Sequence, residues 1–142
     1  MPLAGEATLA VVNGEIRFGA IHVACGVATT LNTDAITVNG ATGTDETLIV
    51  DQSAGVLGPG AAAEGNTPEV ELTVNLGDAS DEAVFIGTDG NDSFAAGLNG
   101  VSLNADGDVD VTFVPLPGRI ELQGRGGVDV LTGRGGSGAG LA

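Results

Sequence analysis

Short aliphatic runs closed by glycine, asparagine or aspartate recur along this chain, and no helical period interrupts them. Runs of this length with alternating apolar positions bury one face as strands and are too short to persist as isolated helices. The pattern predicts strands near Thr8–Val12, Glu15–Phe18, Ala35–Val38, Thr47–Val50, Val70–Leu76, Ala83–Ile86, Asp92–Ala95, Val101–Leu103, Val109–Val114, Ile120–Leu122 and Val128–Leu131. Val12-Asn13-Gly14-Glu15 reads as a tight hairpin turn, because Asn-Gly supplies two residues that tolerate φ > 0. The first two strands are therefore expected to form an antiparallel cap ahead of a repetitive body.

The residues available for a core narrow the choice further. Apolar residues make up 42% of the chain, yet there are four Phe and no Trp or Tyr. Small, repeating Val, Ile, Leu and Ala side chains suit a narrow stacked interior better than a globular one anchored by aromatics. The expected fold is all-β, a β-solenoid (parallel β-helix or β-roll-like) with irregular coils and an N-terminal β-hairpin cap. We divide the chain into a β cap and first coil over 1–34, a solenoid body over 35–132 and a Gly-rich tail over 133–142. Ser53–Pro68, with two Pro and several Gly, is an excursion loop in which Ala61–Glu64 has the composition of a single helical turn.

Charge is distributed unevenly. Nineteen carboxylates face four Arg and no Lys, for a formal net charge of −15. Fifteen of them lie between Asp34 and Asp110, and no basic residue stands between Arg17 and Arg119. Like charges on a compact body repel unless salt or cations screen them. Such a surface disfavours nucleic acid and anionic membrane, which both call for Lys/Arg clusters. Divalent-cation binding, a solubilising surface and adaptation to salt all remain open.

The turns themselves repeat. Gly87-Thr88-Asp89-Gly90-Asn91-Asp92-Ser93-Phe94 aligns with Gly124-Arg125-Gly126-Gly127-Val128-Asp129-Val130-Leu131 at the outer glycines, the second carboxylate and the apolar residue. Gly77–Val84 is a looser copy, Gly40–Leu48 another with one extra residue, and a further glycine turn starts at Gly133. The best copies resemble the hemolysin-type calcium-binding repeat, or RTX nonapeptide, G-G-x-G-x-D-x-U-x with U apolar. The resemblance implies a calcium-binding turn followed by a short strand of a parallel β-roll. It assigns Asp92 and Asp129 as ligand carboxylates, with Asp89 and the carbonyls of Gly87, Gly90, Gly124 and Gly127 nearby, and calcium as the ion. Thr88 and Arg125 stand where that repeat has its second glycine. The turns start at 40, 77, 87, 124 and 133, never eighteen residues apart, so we expect larger coils than a regular β-roll has.

Other chemistries find less support. Asn104–Asp110 is acidic, but counting an EF-hand from Asp106 puts Val111 and Pro117 where Gly and Glu are needed. It reads instead as a strand with Val109, Val111 and Phe113 inward and Asp108, Asp110 and Thr112 on a solvated face. A single His and no Lys or Tyr leave little for proton transfer, so no enzyme is expected. Cys25 stands alone and is expected as a small buried side chain; on a strand over 20–25 it would face away from His22. No stretch has the apolar length of a membrane span, and in a secreted protein Met1 would replace a removed leader. The function expected is a secreted or cell-surface calcium-binding repeat module with a structural or adhesive role, meeting calcium ions and cell-surface or extracellular-matrix components. The alternatives are a cation-independent acidic scaffold and a carbohydrate-binding or lyase-like solenoid.

Overall fold

Asn13 and Gly14 both sit at positive φ, 52° and 80°, and turn the chain between β1 (Glu6–Val12) and β2 (Glu15–Gly19), which pair antiparallel. The expected hairpin is present. In the computed structural model, which describes residues 1, 3, 5–62, 67–78 and 80–133, β1 also has a second role. Its other edge runs parallel to β5 (Thr47–Asp51), β5 to β7 (Glu82–Ile86), and β7 to β11 (Arg119–Gln123). The hairpin therefore caps the solenoid and supplies its first rung.

The opposite sheet holds β4 (Ala35–Asn39), β6 (Glu71–Asn75), β10 (Val111–Phe113), β9 (Gly100–Ser102), β8 (Ser93–Gly97) and β12 (Val130–Gly133), in that spatial order. The chain alternates between the two sheets and winds as a two-sided β-solenoid of about three turns. Thr47 pairs with Glu82 and Glu82 with Arg119, so successive coils take 35 and 37 residues. Larger, unequal coils are what the turn positions implied. The glycine turns at 40 and 77 lie one coil apart, as do those at 87 and 124.

Strand periodicity places the core. Ile36, Leu72 and Val111 stack as one inward column, and Val38, Val74 and Phe113 as the next. On the facing sheet Ala7, Leu48 and Ala83 form a column beside Leu9, Val50 and Phe85. Each buried Val, Leu or Phe contributes roughly 1.5–3 kcal/mol over an exposed one. Phe85 meets Phe113 edge-on across the interior, with centroids 6.3 Å apart, and ties the two sheets together.

Three features depart from expectation. A third cap strand, β3 (Val23–Thr29), pairs with β2 across an irregular register and leaves Val23 and Val27 exposed. His22 lies in the turn before it, at φ 52°, and half-buried Cys25 packs against Met1, its Sγ 3.7 Å from Sδ. The second departure is β9, antiparallel to both neighbours and inserted between β8 and β10. The third corrects the solvated face proposed for 108–112: Val109 is exposed and Asp110 is completely buried. The strand starts only at Val111, and Glu69, at the end of the excursion loop, packs over Asp110. Ala61 and Ala62 form a bend; the rest of the helical turn considered there, and the tail from 134, lie outside the described residues.

Candidate functional site: acidic corners and an acidic pocket

Where the chain passes from one sheet to the other, carboxylates fasten adjacent coils. At the corners following β4 and β6, the Asp78 Oδ2 accepts from the Gly43 amide at 2.8 Å, one coil away. Asp81, almost wholly buried, accepts from the Glu46 amide at 2.8 Å through Oδ1 and from the Asp78 amide at 3.0 Å through Oδ2. Thr44 Oγ1 donates to the buried Glu46 carboxylate, as does the Ala41 amide at 3.3 Å. Hydrogen bonds from the Ser80 hydroxyl and the Gly43 and Ser80 amides pull the Asp78 carboxyl down to about 2.

The corners carrying the resemblance to the calcium repeat are built the same way. Gly87–Asp92 and Gly124–Asp129 stack, and the Asp92 amide donates to Asp129 Oδ1 at 3.1 Å across 37 residues. The Val128 amide donates to Asn91 Oδ1 at 2.8 Å. Within its own turn, Asp92 accepts from the Thr88 amide at 2.9 Å and from the Thr88 hydroxyl. This explains the first glycine of each copy. A Cβ on Gly87 would stand 2.6 Å from the Asp92 carboxylate, and one on Gly124 would collide with that of Asp129. Asp89 pairs with Arg125 at 3.0 Å, on the rim. The fold thus brings together all seven residues assigned by the resemblance, Gly87, Asp89, Gly90, Asp92, Gly124, Gly127 and Asp129, in two adjoining corners. The carboxylates of Asp92 and Asp129 accept from backbone amides there, and that of Asp89 from Arg125.

A different set of carboxylates converges elsewhere. Glu69, Asp106, Asp108 and Asp110 each present an oxygen such that all four lie within 4.8 Å of one another. Three segments assemble them. The excursion loop delivers Glu69 just before β6, the loop after β9 delivers Asp106 and Asp108, and the lead into β10 delivers Asp110. The Leu72–Val111 pairing of β6 with β10 sets Glu69 beside Asp110. Asn104 bridges the loops, donating to Glu69 Oε2 at 2.6 Å and accepting from the Asp106 amide at 2.8 Å. The Thr67 amide donates to Asp106 Oδ2 at 3.0 Å, and the Leu103 amide to Asp110 Oδ2.

Glu69 Oε1 and Asp110 Oδ1 in this pocket are buried without a donor among the described residues. Glu69 is 7% exposed and Asp110 0%. Burial first, and then the neighbouring Asp110, push the Glu69 carboxyl up to about 8; burial also raises that of Asp110. Glu69 and Asn104 also form one wall of an open apolar groove of about 400 Å³ lined by Val56, Leu57, Pro59, Pro68 and Leu103.

No family model, curated protein or solved structure matches this chain. Its function is read from its own geometry. The sequence reading passed over Glu69 and took Asp110 for a solvent-facing residue. The available signal was the Asp-x-Asp-x-Asp run abutting a strand one coil beyond the excursion loop.

Proposed function

We propose that this chain is a calcium-linked structural module, an acidic β-solenoid serving as a rigid spacer or adhesive element outside the cell or at its surface. The observation that supports it is the ladder of corner contacts. Asp78, Asp81, Asn91 and Asp129 each accept a backbone N–H from the neighbouring coil, so consecutive rungs are joined side to side as well as strand to strand. A repeat body braced in this way resists shear and holds its two ends at a fixed distance. Calcium is the partner suited to a body with a net charge of −15, because oxygen-rich anionic surfaces favour hard divalent cations over softer ones.

The test is thermal unfolding in chelator and in millimolar calcium, with magnesium and sodium chloride at matched ionic strength. A rise in melting temperature with calcium well beyond that with either control is expected. Equal shifts in all three salts would replace this reading with a cation-independent scaffold stabilised by screening alone. That second reading draws on the same corners, where amides already occupy the carboxylates.

A further inference from the structure

We infer that Glu69, Asp106, Asp108 and Asp110 form a single buried site for one divalent cation, calcium by preference, which fastens the excursion loop to the loop between β9 and β10. The inference rests on the calcium-linked reading above and assigns it to residues that the repeat motif does not contain.

Convergence of acidic groups alone would not single out this place, since the surface is acidic nearly everywhere. Convergence joined to burial and want of a donor does; Glu46 Oε2 at a corner is likewise buried without a donor but belongs to no convergent group among the described residues. Glu69 Oε1 and Asp110 Oδ1 lie buried within the acidic group with no hydrogen-bond partner among the described residues. A buried ionised oxygen without a partner is costly, and native structures supply a donor or a metal for it. Among the described residues no arginine fills that role: Arg17, Arg119 and Arg125 pair with Glu15, with Glu82 and Glu121, and with Asp89. Apart from a proton shared between Glu69 and Asp110, nothing among the described residues offsets the repulsion between these two buried carboxylates.

The donor set also discriminates among ions. All four side chains are carboxylates, with no imidazole or thiol nearby to favour zinc or copper. Calcium accepts six to eight oxygens in an irregular shell, which carboxylates from three separate segments can supply in mono- and bidentate modes. Magnesium requires a tight octahedron and retains its waters, which a buried pocket accommodates poorly. The hydrogen bonds from Asn104, Thr67 and Leu103 already orient Glu69, Asp106 and Asp110, as outer-shell contacts do in metal sites. Binding there would join β6 and β10 beyond their three-residue pairing.

Calorimetric titration of the whole chain with calcium chloride, at neutral pH and low salt, reads the site directly. One calcium per chain is expected at this site. Asp110→Asn and Glu69→Gln keep shape and one acceptor oxygen each, and both should weaken binding by roughly tenfold or more. Asp106→Asn, at a less buried ligand, gives a third variant should either of these fail to fold, which circular dichroism in chelator would reveal. The corner pair Asp92→Asn and Asp129→Asn serves as the control and should bind this calcium as the parent does. If the corner variants lose calcium while the pocket variants retain it, the assignment falls and the calcium-linked reading stands. A parent chain that binds no calcium overturns both. Equal affinity for magnesium overturns the preference for calcium.

Discussion

The corners and the pocket use the same residue type to opposite effect. At the corners, Asp78 and Asp81 lie against backbone amides of their own and the adjacent coil, and at Asp78 these donors, with the Ser80 hydroxyl, stabilise the charged form. In the pocket, Glu69 and Asp110 lie against each other under the excursion loop, and burial penalises the charged form. Asp78 is pulled down to about 2 while Glu69 is pushed up to about 8. The number of nearby acids does not decide what a carboxylate does; the donors facing it do. A corner aspartate is a structural hydrogen-bond acceptor, and a pocket carboxylate calls for a counter-ion.

The largest effect should come from removing a corner acceptor. Asp81→Ala strips the partner from the Glu46 and Asp78 amides at once, at a position almost wholly buried. Each orphaned buried donor costs about 1–3 kcal/mol, so a loss of roughly 2–4 kcal/mol is expected in urea unfolding. Calcium should not restore it. A loss below about 1 kcal/mol would mean the coils hold without their corner contacts.

The pocket should respond in the other direction. In chelator, Glu69→Gln replaces a buried, repelled carboxylate with a neutral side chain of the same shape. We expect a gain of about 1–2 kcal/mol near pH 8, vanishing below about pH 4.5, and a calcium response much weaker than the parent's. The sign follows from linkage. A group whose folded pKa is raised contributes stability that is fully present below its unfolded value near 4.5 and is lost as pH rises through about 8. Chelated parent protein should therefore lose stability across that window, and the Glu69→Gln variant should lose much less of it. A parallel pH profile in the two proteins would show that Glu69 is not the titrating group.

How far these two regions were legible in the sequence follows from the range of the contacts that build them. Alternation at Ile36 and Val38, or Leu72 and Val74, is a local signal, and the strands expected there are present. β3 was missed because Val-Ala-Cys-Gly-Val-Ala-Thr has no alternation to show: as a cap strand with little burial, it is held by backbone pairing with β2. The recurring Gly–Asp turns were visible, and so was the irregular coil length. Which of these turns stack on one another was not, because that depends on the β5–β7–β11 register. Alternation through 108–113 places Asp110 on a solvated face, but the strand starts only at Val111 and Asp110 is completely buried. Glu69 packs over it, and no pattern within 104–114 records a residue arriving from the previous coil.

Asp78 sharpens the contrast at acid pH. Its depressed pKa means stability present above about 3.8 and lost as pH falls through about 2. Asp78→Asn should flatten that acid limb without altering the profile between pH 4.5 and 8. Acid titrations followed by circular dichroism would separate the two limbs. Should Asp78→Asn instead change the upper limb, the corner and the pocket titrate as one system and the distinction between them fails.

The smallest effect, and the most informative about the repeat, is expected at Arg125. This residue holds φ at 67°, in the region that favours glycine, and pairs with Asp89 on the surface. Arg125→Gly relieves a backbone cost of about 1–2 kcal/mol, forfeits an exposed ion pair worth at most about 1, and adds roughly 0.5–1 of chain entropy to the unfolded state. These terms largely offset one another, so stability in chelator should move by no more than about 1–1.5 kcal/mol in either direction. The substitution also removes the positive charge from this corner and restores the second glycine of the repeat it resembles. If amides have taken the place of calcium there, the variant binds no more calcium than its parent. A second calcium appearing in the titration of Arg125→Gly would reveal a corner that binds the ion once its guanidinium is gone, and the line drawn between corners and pocket would have to be redrawn around Arg125.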